Sequence, residues 1–290
     1  MEETITIAGV TISHPSKVLY PEIHATKQQI AEYYEFIAPL ILPELIRRPV
    51  SLVRSPNGVD KIRFYQKHPS ENFPQYIERV TIEGKDGSNV YITIDELNDI
   101  MYLVNLGVLE FHTWGSILPD IEKPNRIIFD FDPDPEAPWE YVLRGVDILK
   151  EHLDKLKLKA FVKTSGIKGF HVDIPIKPEY SWDEAKRFAK EIGDIMAQNN
   201  PQMFTTEILK VKRKGLVFID YLRNTRGATN VAAYSTRTLP NASISVPILW
   251  EEVRKVKPDT FTIENIRQRI KNSENPWREY KKVKQFLPVT

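Results

Sequence analysis

The chain contains no cysteine, so a disulfide framework, a thiol nucleophile and thiolate-ligated zinc or iron–sulfur sites are all excluded. Glycine is scarce, 12 in 290 residues, which argues against a low-complexity or collagen-like chain. Neither charge sign dominates: 40 Lys and Arg offset 39 Asp and Glu, leaving +1 and no bulk attraction to a polyanion. A long apolar run is also missing. The uncharged stretch from Thr238 to Trp250 is too short to span a bilayer and carries Pro240 and Pro247. The start, Met1-Glu2-Glu3-Thr4, lacks the basic and apolar regions of a signal peptide, so an intracellular protein with no membrane contact is expected. What is present, 41% hydrophobic and 27% charged residues over this length, suits one large globular domain or two of ordinary size.

The balanced charge is a cancellation between segments. Residues 42–80 hold seven cations against four anions, and residues 205–240 hold seven against two. Residues 129–148 hold six anions against one cation. Such blocks form solvated faces, but two basic blocks around an acidic island also suit a metal–carboxylate centre acting on a polyanion.

Periodicity supplies the element order. Residues 5–12 alternate and read as one strand interrupted by Gly9. Thr26 and Gln29 have capping-box spacing ahead of Ile30, Tyr33, Tyr34, Ile37 and Ile41, and Pro39 and Pro43 predict that this helix ends or bends there. A second cap signal at Thr93–Glu96 precedes a helix stopped by Gly107. Residues 126–132 read as a strand, followed by a helix from Pro138. Strands at 161–164 and 170–176 flank Ser165-Gly166, and Ser181 with Glu184 caps a further helix. Residues 216–222 and 243–248 read as strands, and the charged tail from Pro258 as helical. The fold class expected is α+β: mixed sheets forming a catalytic core with flanking helices and an N-terminal lobe. The chain reads as a single domain over 1–290, softly divided near Pro119–Pro124 into lobes 1–120 and 121–290.

Chemistry concentrates in three places. In the strand from Arg126, alternation puts Asp130 and Asp132 on one face, where they repel each other unless a hard divalent cation such as Mg²⁺ or Mn²⁺ binds them. The competing reading is an acidic turn that opens the next helix. Asp220 interrupts an otherwise apolar strand and needs either a metal or a salt bridge to a nearby Arg. Three carboxylates on two adjacent strands suit two-metal phosphoryl chemistry. Between two strands, Ser165-Gly166-Ile167-Lys168-Gly169 could turn backbone N–H groups, a hydroxyl and a cation toward a phosphate, or be an ordinary hairpin with an exposed Lys. It lacks Walker A spacing.

DFDPD at 130–134, SGIKGFH at 165–171 and FIDYLRN at 218–224 together resemble the three motifs of archaeo-eukaryotic primase-type polymerases. The resemblance is strongest to the polymerase domain of LigD-type non-homologous end-joining enzymes. It extends through His14–Lys17, Arg48–Val50, Pro56–Gly58, Phe64–His68, His112–Trp114, Tyr234–Arg237 and Trp250–Glu252. It implies that Asp130, Asp132 and Asp220 are the carboxylates for two divalent ions, Mn²⁺ or Mg²⁺. Ser165, Lys168 and His171 would contact the phosphates of the incoming nucleotide, Arg213 and Arg237 would lie near it, and His112 would lie near its sugar. Phe64 would stack on a base, while Lys17 and Lys27 would grip a 5′-phosphate at a DNA gap or break. Tyr65 departs from the family, whose members often carry a second Phe there.

The resemblance implies a template-directed polymerase that extends a 3′-OH with NTPs or dNTPs, prefers ribonucleotides, and fills short gaps at double-strand breaks. No KxDG-type ligase motif is present, so a separate DNA ligase and a Ku-type end-binding protein are the expected partners. A two-metal nuclease and a non-catalytic nucleic-acid-binding module remain the alternatives.

Overall fold

The computed structural model describes residues 3–71, 73–84 and 87–288. The chain forms two compact units. Unit 1 comprises residues 1–114, 229–245 and 261–269; unit 2 comprises 115–228, 246–260 and 270–290.

The chain begins with β1 (Thr4–Ile7), β2 (Val10–Ser13), β3 (Val18–Tyr20) and β4 (Ala25–Thr26), which leads into α1 (Lys27–Leu45). Next come β5 (Val50–Arg54), β6 (Phe64–Gln66), β7 (Arg79–Gly84), β8 (Gly87–Ile92), α2 (Leu97–Asn105) and β9 (Val108–Trp114). Unit 2 then supplies β10 (Arg126–Pro133), α3 (Trp139–Lys155), β11 (Phe161–Thr164), β12 (Phe170–Pro175), α4 (Trp182–Asn199), β13 (Phe204–Thr205) and β14 (Val217–Asp220). After these come β15 (Thr229–Val231), β16 (Pro247–Ile248) and α5 (Ile266–Asn272). This is the α+β class expected.

Residues 4–13 form an antiparallel hairpin, not one strand. Ala8 (φ 47°) and Gly9 (φ 79°) occupy the two left-handed positions of a tight turn, so the apparent interruption reverses the chain. The capping box at Thr26 is present: Gln29 N–H donates to the Thr26 hydroxyl and the Gln29 amide oxygen accepts from Thr26 N–H. Pro39 and Pro43, however, both lie inside α1, which continues to Leu45. Pro39 is exposed and Pro43 half-buried, so the carbonyls they leave unpaired lie toward water, while Ile30, Tyr34, Ile37, Ile41 and Leu45 bury the inner face. The cap of α2 comes from Asp99, whose Oδ2 accepts from Asp95 and Glu96 N–H, and not from Thr93.

Two further expectations fail in the last third of the chain. Within 243–248 only Pro247–Ile248 joins a sheet. Beyond Pro258, among the described residues, helix is limited to α5 and a 3₁₀ turn at Tyr280–Lys282. The tail instead docks through turns and irregular chain. The Trp277 indole N–H donates to Val162 O, Gln285 accepts from Lys177 N–H through its backbone, and its side-chain amide donates to Pro175 O. These backbone partners replace those a helix would use.

Each unit has one large sheet. In unit 1 the order is β15-β9-β5-β8-β7, with β6 also paired to β5. Buried Tyr34 of α1 donates its hydroxyl to Leu109 O on β9, and Tyr33 donates to Tyr234 O, so the aromatic face of α1 leaves neither hydroxyl without a partner. In unit 2 the order is β13-β14-β10-β12-β11-β16, antiparallel except for β13–β14. Phe129, Phe131, Val172 and Ile219 are buried with the apolar stripes of α3 and α4. Among the described residues no helix is long and apolar enough to cross a membrane.

Candidate active site

In unit 2, strand register builds the site. Asp130 on β10 is the direct partner of His171 on β12 and of Asp220 on β14, and Lys163 on β11 is the partner of His171. Directly paired residues of antiparallel strands project to the same face, so Lys163, His171, Asp130 and Asp220 form one row across four strands. Asp132, two residues along β10, shares that face.

The row is tied by short contacts. Lys163 Nζ lies 3.1 Å from His171 Nδ1, and His171 Nε2 lies 3.3 Å from Asp130 Oδ1. Arg223 Nε lies 3.1 Å from Asp130 Oδ2 and 3.2 Å from Asp220 Oδ2. The salt-bridge reading of Asp220 is therefore realised. Asp220 also accepts from Leu222 N–H at 2.9 Å, which starts the 3₁₀ turn that carries Arg223 back toward the carboxylates.

These contacts do not balance the charge. Burial would raise the Asp130 carboxyl, but His171 and Arg223 outweigh it and hold the group far below the usual range. Burial and the neighbouring Asp130 push Asp132 up, against Lys168 and Arg213. Burial pushes Asp220 up to about 6 despite Arg223. Burial drives His171 down to about 4, so its ring is neutral at physiological pH. Two of the three carboxylates thus hold protons more tightly than free carboxylates do, the signature of anions short of cations.

Among the described residues no group of three or more His, Asp or Glu side chains is gathered closely enough to hold a metal ion. The donor chemistry nevertheless fits: hard carboxylate oxygens in excess over their cations are what a divalent oxophilic ion requires. Arg223 bridges two of these carboxylates with a single positive charge.

The 165–169 loop is organised by its serine. Ser165 Oγ accepts from the N–H groups of Ile167, Lys168 and Gly169, each at 3.1 Å, so these amides converge on the hydroxyl. Gly169 must be glycine here, because a Cβ would lie 2.1 Å from Phe131 O. Lys168 is exposed, and its charge acts on Asp132. Arg213 Cζ lies 3.5 Å from the centroid of the Phe218 ring, and Nε donates to Glu207 O at 2.8 Å.

The remaining expected residues belong to unit 1. His112 on β9 has Nε2 2.9 Å from Glu110 Oε2, and Arg237 Nε lies 3.2 Å from the same oxygen. Phe64 is half exposed in a groove lined by Asn57, Asp60, Lys61 and Ile62. Tyr65, the departure from the family, sets its ring edge-on to His112 and hydrogen-bonds Thr229 Oγ at 2.7 Å. Lys17 and Lys27 are neighbours through the backbone, Lys27 N–H donating to Lys17 O. Their side chains differ: Lys17 reaches Asn57 Oδ1 at 2.8 Å near the surface, while Lys27 is buried and donates to Ser13 O at 2.8 Å and Asn105 O at 3.1 Å.

Sequence reading passed over Lys163, Arg223 and Glu110. Glu110 carried the same signal as Asp220, an acid inside an apolar strand (VLEFHTW), and Arg223 lay three residues beyond Asp220. Nothing in the run FVKT marked Lys163.

A cluster of one buried and two half-buried carboxylates on the central strands of a mixed sheet, beside a serine-organised loop, defines an α+β protein built to gather negative charge at one sheet face. The chain matches the LigD primase-polymerase domain over residues 26–277, and it belongs to that family. It is 37% identical over 283 residues to the multifunctional non-homologous end joining protein LigD of Pseudomonas aeruginosa, covering 97% of this chain and 34% of that protein. It is 28% identical over 276 residues to the bifunctional LigD of Bacillus subtilis, covering 94% and 44%. The chain therefore spans between a third and a half of the length of these relatives. A solved structure, the polymerase domain from Mycobacterium tuberculosis ligase D in complex with DNA, superposes with a TM-score of 0.86 at 26% identity, covering 93% of this chain and 97% of that one.

Proposed function

We propose that this chain is a template-directed nucleotidyltransferase that extends a DNA 3′-OH with nucleoside triphosphates and fills short gaps at broken ends. The observation that carries the reading is the row Asp130–Asp220 with Asp132 beside it, where burial and mutual repulsion leave more negative charge than Arg223 neutralises. Membership of the LigD primase-polymerase family supports it.

Asp130, Asp132 and Asp220 would hold two divalent ions, Mn²⁺ or Mg²⁺, which supply charge neutralisation at the attacking and leaving oxygens. The protein's own part is positioning. Neutral His171, placed by Lys163, presents an N–H at the carboxylate row. The Ser165 hydroxyl fixes the loop that exposes the Lys168 ammonium to a triphosphate. Arg213, stiffened against Phe218, adds a fixed cation. In unit 1, His112 and Arg237 serve the nucleotide's sugar and phosphates and Phe64 offers a stacking face. Lys17 supplies a surface cation for a 5′-phosphate, and Lys27 anchors the backbone beside it. A Ku-type end-binding protein and a DNA ligase complete the reaction sequence, because a filled gap still needs sealing.

The test is primer extension on gapped DNA with Mn²⁺, with rNTP or dNTP, and with a 5′-phosphate or 5′-hydroxyl at the gap. Lengthening that requires NTP, favours rNTP and falls when the 5′-phosphate is removed is expected. The Asp130→Ala/Asp132→Ala variant should lose extension while binding DNA nearly as well. Primer shortening, or full extension by the double variant, overturns the reading.

A further inference from the structure

The nucleotide contacts of unit 1 converge on one buried acid. Glu110 sits inside β9 with 3% of its side chain exposed. Its Oε1 accepts from the Thr238 N–H and the Thr238 hydroxyl, both at 2.7 Å. Its Oε2 lies 2.9 Å from His112 Nε2 and 3.2 Å from Arg237 Nε. Thr238 in turn accepts from Arg63 Nη1 at its hydroxyl oxygen, 2.9 Å, and at its carbonyl oxygen, 3.1 Å. Arg63 immediately precedes Phe64.

Three hydrogen-bond donors and one ion-paired guanidinium, from two chain segments, therefore meet one carboxylate, and a third segment is tied in through Thr238. Burial alone would raise this acid, yet Arg237, His112 and Thr238 bring it down to about 2, so it is an anion across the physiological range. An ionised carboxylate only accepts hydrogen bonds, so the contact with His112 fixes the proton on Nε2. The same oxygen fixes the direction from which the Arg237 guanidinium projects. His112 and Arg237 both keep a small exposed surface, about 14% and 13%, as side chains held from behind and presented outward do.

We propose that Glu110 is the positioning residue for the nucleoside triphosphate in this unit: it sets the tautomer and ring orientation of His112 and the aim of Arg237, and through Thr238 and Arg63 it anchors the segment bearing Phe64. The proposal rests on the polymerase reading for the identity of the ligand and on the geometry alone for the tautomer.

Glu110→Gln keeps the shape, removes the charge and forces an NH₂ group against existing donors. In gap filling it should raise KM for NTP by about tenfold to a hundredfold, the usual cost of misaiming a held contact. Affinity for gapped DNA should be unchanged. In a His112→Ala background the same substitution should cost clearly less, since part of its effect passes through His112. An NTP KM within twofold of wild type, or full additivity with His112→Ala, overturns the proposal. Imidazole ¹⁵N NMR on the unmodified protein gives a readout independent of any variant's folding. An Nε2-protonated His112 is expected, and a ring protonated at Nδ1 alone overturns the proposal. If the wild-type protein extends no primer, the polymerase reading falls, while the NMR result still decides whether Glu110 sets the tautomer.

Discussion

The two units each bury acid beside histidine and arginine, yet they balance it in opposite ways. In unit 1 a single carboxylate, Glu110, receives three hydrogen bonds and the Arg237 ion pair, and is held down to about 2. In unit 2 three carboxylates lie together, one arginine bridges two of them, a neutral histidine meets one, and Asp220 is pushed up to about 6. The first cluster is electrostatically complete and can act as a rigid support. The second is short of positive charge, the condition of a site that binds cations. The difference lies in how many donors surround each acid, not in residue types, which are nearly the same.

The largest effect that would sharpen this contrast is on stability. Glu110→Ala leaves Arg237 and His112 beside an empty, buried position and should cost about 3–5 kcal/mol in chemical denaturation. Asp132→Asn, which removes one of several crowded anions, should leave the chelator-treated protein as stable as wild type or more so. Equal losses at the two positions would break the comparison.

The pH profiles should run in opposite directions. Glu110 binds its proton less tightly in the folded chain than its ordinary 4.5, so its contribution is present above that pH and is lost as pH falls toward 2. Asp220 binds its proton more tightly, about 6 against 3.8, so its own contribution to the metal-free fold is lost as pH rises through that window, against a gain of opposite sign from His171, which is held down to about 4. Because His171, Asp130 and Asp132 also titrate in this range, the two contributions are read as differences between wild type and variant in urea melts with chelator from pH 3 to 7, each worth about 3 kcal/mol at most. The wild type minus Glu110→Gln difference should shrink as pH falls below about 4.5, and the wild type minus Asp220→Asn difference should fall as pH rises from about 4 to 6. A single shared slope contradicts the separation.

The smallest effect expected is that of metal. Mn²⁺ at a hundred times its Kd should stabilise the wild-type protein by about 2.7 kcal/mol. The gain should vanish in Asp130→Asn/Asp132→Asn and persist in Glu110→Gln. Mn²⁺ stabilisation lost in Glu110→Gln would place the cation demand in the wrong unit.

Local signals were legible where their physics is local. The capping boxes at Thr26 and Ser181 can be read from residues three apart, because the bonds they make span three residues. Asp130 and Asp132 could be put on one face from strand alternation alone. The hairpin at residues 4–13 was missed because alternation continues on both sides of Ala8-Gly9 and only backbone direction distinguishes a turn from a bulge. α1 passed through Pro39 and Pro43 because burial of its inner face outweighs the bonds those residues cannot make. The tail gave up helix for partners more than a hundred residues away, such as Val162 for Trp277.

The sequence by itself determined the candidates for the chemistry: three aspartates, the Ser-Gly-Ile-Lys-Gly loop, and the strands and helices that hold them. Only the tertiary structure decided their grouping. Asp130 stands opposite both His171, 41 residues away in the chain, and Asp220, 90 residues away, because β10 pairs with β12 on one side and β14 on the other. Glu110 meets Thr238 across 128 residues in the same manner. Register and chain return are set by packing over the whole fold, so which acid is surrounded by donors, and which is left short of them, cannot be read from any local pattern.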